Sequence, residues 1–143
     1  MAVEVTYRAE ATAWGGRAGR AASDDGRLGV DLSVPAGLGG DGGPGTNPEQ
    51  LFAAGWAACF QQALTLVAGP AGVDVSTSAV TVRVGIGADT SDGAFALQAE
   101  IAAEIPGADV ATVRALLDRA HQVCPYSKAT RGNIDVVLTP VAG

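Results

Sequence analysis

The chain has 143 residues, 48% of them hydrophobic and 17% charged, with a formal net charge of −6. That length suits a single domain, residues 1–143, with a core of its own, and the apolar fraction excludes general disorder. The acidic balance disfavours nucleic acids and anionic membrane surfaces as partners, because phosphate groups repel it.

The N-terminus, Met1-Ala2-Val3-Glu4-Val5, has no basic start and no long apolar run, so it does not read as a signal peptide. No stretch reads as a membrane span, the apolar segments being short or broken by glycine and charge. The expected location is the cytoplasm, a reducing compartment. Val3, Val5 and Tyr7 alternate with Glu4, Thr6 and Arg8, and a period of two predicts a half-buried strand. The run from Trp14 to Arg20, WGGRAGR, holds too many glycines for a regular element and predicts a turn. Leu28, Val30, Leu32 and Val34 alternate again, giving a strand that Pro35 ends. The glycine-rich loop 36–46 is a connection rather than a phosphate cradle, since no Gly-Lys-Ser/Thr follows it.

A long helix begins at Asn47, a capping residue, with Pro48 in the first helical position and Glu49 at the positive end of the dipole. It is predicted to run to about Ala68, where Gly69 and Pro70 stop it. Ala53, Ala54, Gly55, Ala57 and Ala58 are all small, which lets another backbone approach closely and puts this helix at the centre of the structure. Val80–Ile86 and Phe95–Ala103, around the turn at Ser91-Asp92-Gly93, predict a hairpin. A second helix starts after Asp109 and lines up Val113, Leu116, Leu117, Ala120 and Cys124 on one face, ending at Pro125. Ile134, Val136 and Leu138 make the last strand. Strands, helix, strand pair, helix and strand describe an α+β fold.

Two cysteines and one histidine carry the candidate chemistry: Cys59 in the first helix, Cys124 at the end of the second, and His121. Free cysteines are often small buried hydrophobes. The functional alternative is a dithiol that cycles through a disulfide, which requires the two helices to pack together. In a reducing compartment two cysteines are seldom a permanent staple. A reactive Cys59 needs a cation, because mid-helix burial disfavours the thiolate. Arg17, Arg20, Arg131 and Lys128 are the candidates, with Glu49 a plausible anion for a buried arginine. Glu49 lies ten residues before Cys59, about 15 Å along a continuous helix. Any help that it gives the thiol is therefore expected from a partner subunit. Two Cys and one His fall short of a four-ligand structural zinc site, so no metal is expected. A Cys-His hydrolase dyad with His121 is disfavoured, since a helical histidine more often makes a structural contact.

Three stretches resemble one family: GTNPEQLFAAGWAACF at 45–60, AHQVCPYSKATRGNIDV at 120–136 and the early GGR at 15–17. They are similar to the organic hydroperoxide resistance (Ohr) proteins of the OsmC/Ohr family, with VCPYS and TRGN typical of the Ohr branch. The resemblance implies an intertwined homodimer whose sheets wrap two long central helices, with active sites at the subunit interface. It implies peroxidase activity toward organic hydroperoxides, with Cys59 as peroxidatic and Cys124 as resolving cysteine. Arg17 would activate the thiolate and Glu49 orient that arginine. No cofactor is implied beyond a dithiol reductant, dihydrolipoamide or a lipoylated protein. Phe52, Trp56 and Phe60, near Cys59, are the candidate residues for the substrate's apolar part. Trp56 stands where the family commonly has Tyr, and Lys128 where Asn is usual. The alternatives are an OsmC-type peroxidase of broader specificity, a non-catalytic thiol redox sensor, or a structural module with inert thiols.

Overall fold

The computed structural model describes residues 2–143 and has a mixed α+β architecture. The chain divides into two compact units, residues 1–48 and 49–143.

The first unit is a three-stranded antiparallel sheet in the order β1 (Ala11–Trp14), β2 (Arg20–Ser23), β3 (Gly29–Asp31). Trp14 pairs with Arg20 across the first hairpin, and the Arg20 guanidinium stacks 5.0 Å from the centre of the Trp14 ring. Between them, Gly16–Ala18 forms one turn of 3₁₀ helix carrying Arg17. Gly19 closes this loop so tightly that a Cβ there would lie 1.7 Å from the Trp14 carbonyl oxygen, so no other residue fits without moving the backbone. The strand expected over Val3–Tyr7 is absent: these residues belong to no strand, and Val3, Val5 and Tyr7 are exposed. Alternation alone does not make a strand when no neighbour supplies the ladder. Conversely, β2 forms without a sequence signal, because Ala21 and Ala22 carry little β-propensity.

The second unit packs helices on a three-stranded sheet. Its strands are β4 (Ala79–Ala88), β5 (Phe95–Glu104) and β6 (Asp135–Val141), in the order β4-β5-β6. The predicted hairpin is present, with β4 and β5 antiparallel from Ala79↔Glu104 to Ala88↔Phe95. β6 returns parallel to β5, after a crossover that carries α2 (Val110–Val123) and α3 (Pro125–Thr130). Pro140, which has no N–H to donate, is tolerated because β6 is an edge strand.

Helix α1 spans Pro48–Ala71 and does not stop at Gly69-Pro70. Pro70 forfeits the N–H that would meet the Leu66 carbonyl, yet the helix persists to Ala71, and the effective stop is Gly72. Its φ of 71° turns the chain left-handed while Val73 N–H reaches back to the Ala68 carbonyl at 3.1 Å. The resulting 24-residue helix, with a mean hydropathy of 1.4 over its most apolar window, is long and apolar enough to cross a membrane by length and composition alone. This corrects the expectation that no stretch qualifies: alanine and glycine do not interrupt an apolar run. Trp56, Phe60, Leu64 and Val67 of this helix are buried, in one core with Val82, Ile101, Val113, Leu116 and Leu117. Each large side chain so buried contributes about 1.5–3 kcal/mol. Asp109 caps α2 as predicted, its carboxylate accepting the Thr112 N–H at 2.7 Å.

Candidate active site

The two sulfurs meet. Cys59, half-buried in the middle of α1, lies 3.7 Å from Cys124, whose Sγ–H donates toward it, and both are free thiols. A disulfide needs about 2.05 Å, so closure takes a small movement rather than refolding. Cys124 is not the last residue of the α2 face, as the spacing suggested. It is the corner between two helices: with φ −62° and ψ 123° it caps the C-terminus of α2 and the N-terminus of α3. It is also completely buried. The unread element is α3, and its signal was present, since proline after a capping residue starts a helix as readily as it ends one.

Burial pushes the Cys59 thiol up from its ordinary value, and the neighbouring Cys124 thiol adds to the effect. The backbone N–H of Tyr126, bonded to the Cys59 sulfur, pulls in the opposite direction but does not prevail. Burial and the neighbouring thiol thus disfavour ionisation of Cys59, and a nearby cation would oppose them.

The candidate substrate residues separate in depth. Phe52 lines an apolar cavity of about 480 Å³ together with Leu51, Gly55, Tyr126, Ala129 and Thr130. Gly55 is one helical turn before Cys59, and the Tyr126 ring passes 3.5 Å from where its Cβ would be. The cavity is linked to the thiol through Tyr126, which lines it and whose backbone N–H bonds the Cys59 sulfur, although neither cysteine is among its lining residues. Trp56 and Phe60 are fully buried in the core. Trp56 is in ring contact with Phe52 (centroids 5.5 Å apart) and its Nε1–H donates to the buried Ser127 Oγ at 3.3 Å, tying α1 to α3. Ser127 belongs to the VCPYS stretch, but the sequence gives it no role of its own, because a serine in a helical stretch carries no signal of burial. Lys128 is exposed on α3.

Arg17 is half-buried in the 3₁₀ turn of the first unit. Glu49 is in the first turn of α1 and also half-buried. Because α1 is continuous between them, Glu49 and Cys59 of one chain are separated by about 15 Å of helix rise. His121 is partly buried on α2, three residues before Cys124. Its Nδ1 is buried without a hydrogen-bond partner, and burial together with the nearby Arg131 charge holds its pKa below the ordinary histidine value. Among the described residues no three of His, Cys, Asp and Glu gather as a metal ion would require.

Residues 39–139 match the OsmC-like protein family. Over 136 residues the chain is 52% identical to the organic hydroperoxide resistance protein of Xanthomonas axonopodis pv. citri (strain 306), covering 95% of each. It is similar in structure to an organic hydroperoxide resistance protein from Elizabethkingia anophelis with crystallant-derived thiocyanate bound. The TM-score is 0.89 and the identity 46%, over 99% of this chain and 100% of that one. A Vibrio cholerae protein of the same description, with captopril in one of its active sites, gives a TM-score of 0.85 at 46% identity, over 96% and 93% of the two chains.

Proposed function

The chain belongs to the OsmC-like family, in its organic hydroperoxide resistance group, and from that premise we propose that it is a cysteine-based peroxidase that reduces organic hydroperoxides. The observation that carries this reading is the pair of free thiols 3.7 Å apart, linked through Tyr126 to an apolar cavity. A structural cysteine pair needs no such cavity. A hydrophobic hydroperoxide suits it, because the cavity walls offer Leu51, Phe52 and Ala129 and little hydrogen bonding.

The cycle starts from the Cys59 thiolate, held ionised by the Arg17 guanidinium, which Glu49 orients. The thiolate attacks the distal oxygen of ROOH. The O–O bond breaks, the alkoxide leaves and takes a proton as ROH, and Cys59 becomes a sulfenic acid. The Cys124 sulfur then attacks Cys59, the hydroxyl departs as water, and a disulfide forms. A dithiol reductant, dihydrolipoamide or a lipoylated protein, restores both thiols by exchange. Arginine suits the activating role because it stays charged at any working pH and presents a fork of donors to thiolate and peroxide together. Phe52 receives the apolar group of the substrate, while Trp56 and Phe60 act from beneath, fixing its shape.

The working form is a homodimer, with α1 at its centre. This helix is apolar nearly all round, yet Ala54, Ala58 and Leu66 are exposed on the face away from the core, and such a helix is normally covered on every side. The Val3–Tyr7 segment alternates as a strand does but pairs with nothing among the described residues, and a partner chain would supply the missing ladder. The plural active sites of the Vibrio cholerae protein accord with this assembly. In the dimer, the carboxylate that serves one chain's Cys59 comes from the other chain's Glu49.

Cys59→Ser should abolish hydroperoxide consumption with dihydrolipoamide as reductant. Cys124→Ser should allow one oxidation per chain and then drive Cys59 to the sulfinic acid, read by intact mass. Undiminished turnover in Cys59→Ser would end the proposal.

A further inference from the structure

At the corner where α2 ends, the last carbonyls lose their helical donors. A carbonyl in a helix normally accepts the N–H four residues on. For Ala120 that donor is Cys124 N–H, at 2.8 Å. For His121 the donor would be residue 125, which is a proline and has none. The structure fills the gap from elsewhere. Arg131 Nη2 donates to the His121 carbonyl at 2.6 Å, while Arg131's own backbone N–H closes α3 on the Ser127 carbonyl at 2.9 Å. One residue therefore ends α3 and reaches back to α2, and Cys124 lies at the corner it brackets. On the opposite side α3 is tied to the Cys59 helix by the Trp56–Ser127 bond.

We propose that Arg131 is a positioning residue for Cys124, substituting its guanidinium N–H for the one that Pro125 lacks and so holding the α2–α3 corner where the Cys124 sulfur meets Cys59. This rests on the disulfide cycle proposed above and deepens it, by assigning what sets the speed of the second step. The bond is charge-assisted and sits at the negative end of the α2 dipole, both of which strengthen it despite its exposure to solvent. Cys124 is not a partner in that bond, so the role is one of placement. Its loss widens the range of positions the corner samples and slows closure onto the sulfenic acid, leaving the first oxidation untouched.

The experiment is a competition. Reduced protein is treated with rising cumene hydroperoxide, and mass spectrometry reads the ratio of disulfide to Cys59 sulfinic acid. Stopped-flow gives the rate of first oxidation, and circular dichroism the fold. In Arg131→Ala the ratio should fall about tenfold, the effect of losing one such hydrogen bond. The first oxidation rate should stay unchanged, and Arg131→Lys, which keeps a charged donor, should recover most of the ratio. Arg131→Gln lacks the charge and the reach but keeps a polar surface residue. It should move the ratio the same way, and it decides the matter if the alanine variant does not fold. An unchanged ratio in Arg131→Ala, or an equal slowing of the first oxidation, overturns the assignment. Cys124→Ser separates the two levels: if it over-oxidises fully while Arg131→Ala behaves as wild type, only the role of Arg131 falls. If Cys124→Ser does not over-oxidise, the disulfide cycle fails and takes the role of Arg131 with it.

Discussion

Among the described residues of the first unit, Leu32 is the one buried hydrophobic side chain, whereas the second unit encloses Trp56, Phe60, Leu64, Ile101, Val113, Leu117 and more. The first is held by backbone: a β ladder, the Ser33 N–H to Thr46 carbonyl bond at 2.9 Å, and glycines such as Gly19 that let main chain press on main chain. The second is held by close-packed side chains. The two proposed halves of the chemistry fall on opposite sides of this difference. The sulfurs are set by a core, which resists small displacements. The arginine is set by a loop whose geometry depends on a few backbone positions. Substitutions in the two units should therefore fail in different ways, the one in stability and the other in rate.

The sharpest break in that comparison would come from Phe60→Ala. Removing a fully buried ring should cost about 3–5 kcal/mol, read by urea denaturation, and a loss under 1 kcal/mol would mean that the second unit is not held by its core. Arg17→Ala should leave stability nearly untouched and slow the first oxidation of Cys59 about a hundredfold, as when a positioned donor is removed from a reacting charge. It should also move the pH–rate profile to the alkaline side. Burial raises the Cys59 pKa, so without the cation a higher pH is needed to form the thiolate. An unshifted profile would detach Arg17 from the thiol. The smallest effect belongs to Asp109. Its carboxyl is held below the ordinary value by the Thr112 N–H it accepts, so the folded form binds its proton less readily than the unfolded chain. The stabilisation is present above the usual carboxylate range and is lost as pH falls through it. Asp109→Asn keeps the cap without the charge, and its stability deficit relative to wild type should vanish on acidification; a constant deficit would contradict the capping account.

The sequence carried the beginnings of helices better than their ends. Asn47-Pro48-Glu49 and Asp109 are local signals with a direct mechanism, and both helices start where these residues place them. The stops depend on more distant matters. Pro70 costs one backbone bond but does not stop its helix, and Pro125 opens α3 because Cys124 has already left the helix. Val3–Tyr7 shows the opposite failure, a sound local pattern with no neighbouring strand in the chain. Cys59 and Cys124 were legible as candidates from their rarity, but their 3.7 Å approach is a product of tertiary packing that no spacing rule contains. Ser127 and Arg131 act through a buried indole and an orphaned carbonyl, neither of which has a signature in composition or periodicity.

The two thiols differ in their access to solvent. Cys124 is sealed from solvent while Cys59 is partly open to it. In the proposed disulfide, an incoming thiolate would reach only one of the two bonded atoms. Exchange must then begin at Cys59, forming the mixed disulfide there and expelling Cys124 as the leaving group into the pocket that already fits it. Oxidant and reductant would thus arrive through one doorway in turn, and a bulky alkylating reagent offered to the resting protein should mark a single cysteine.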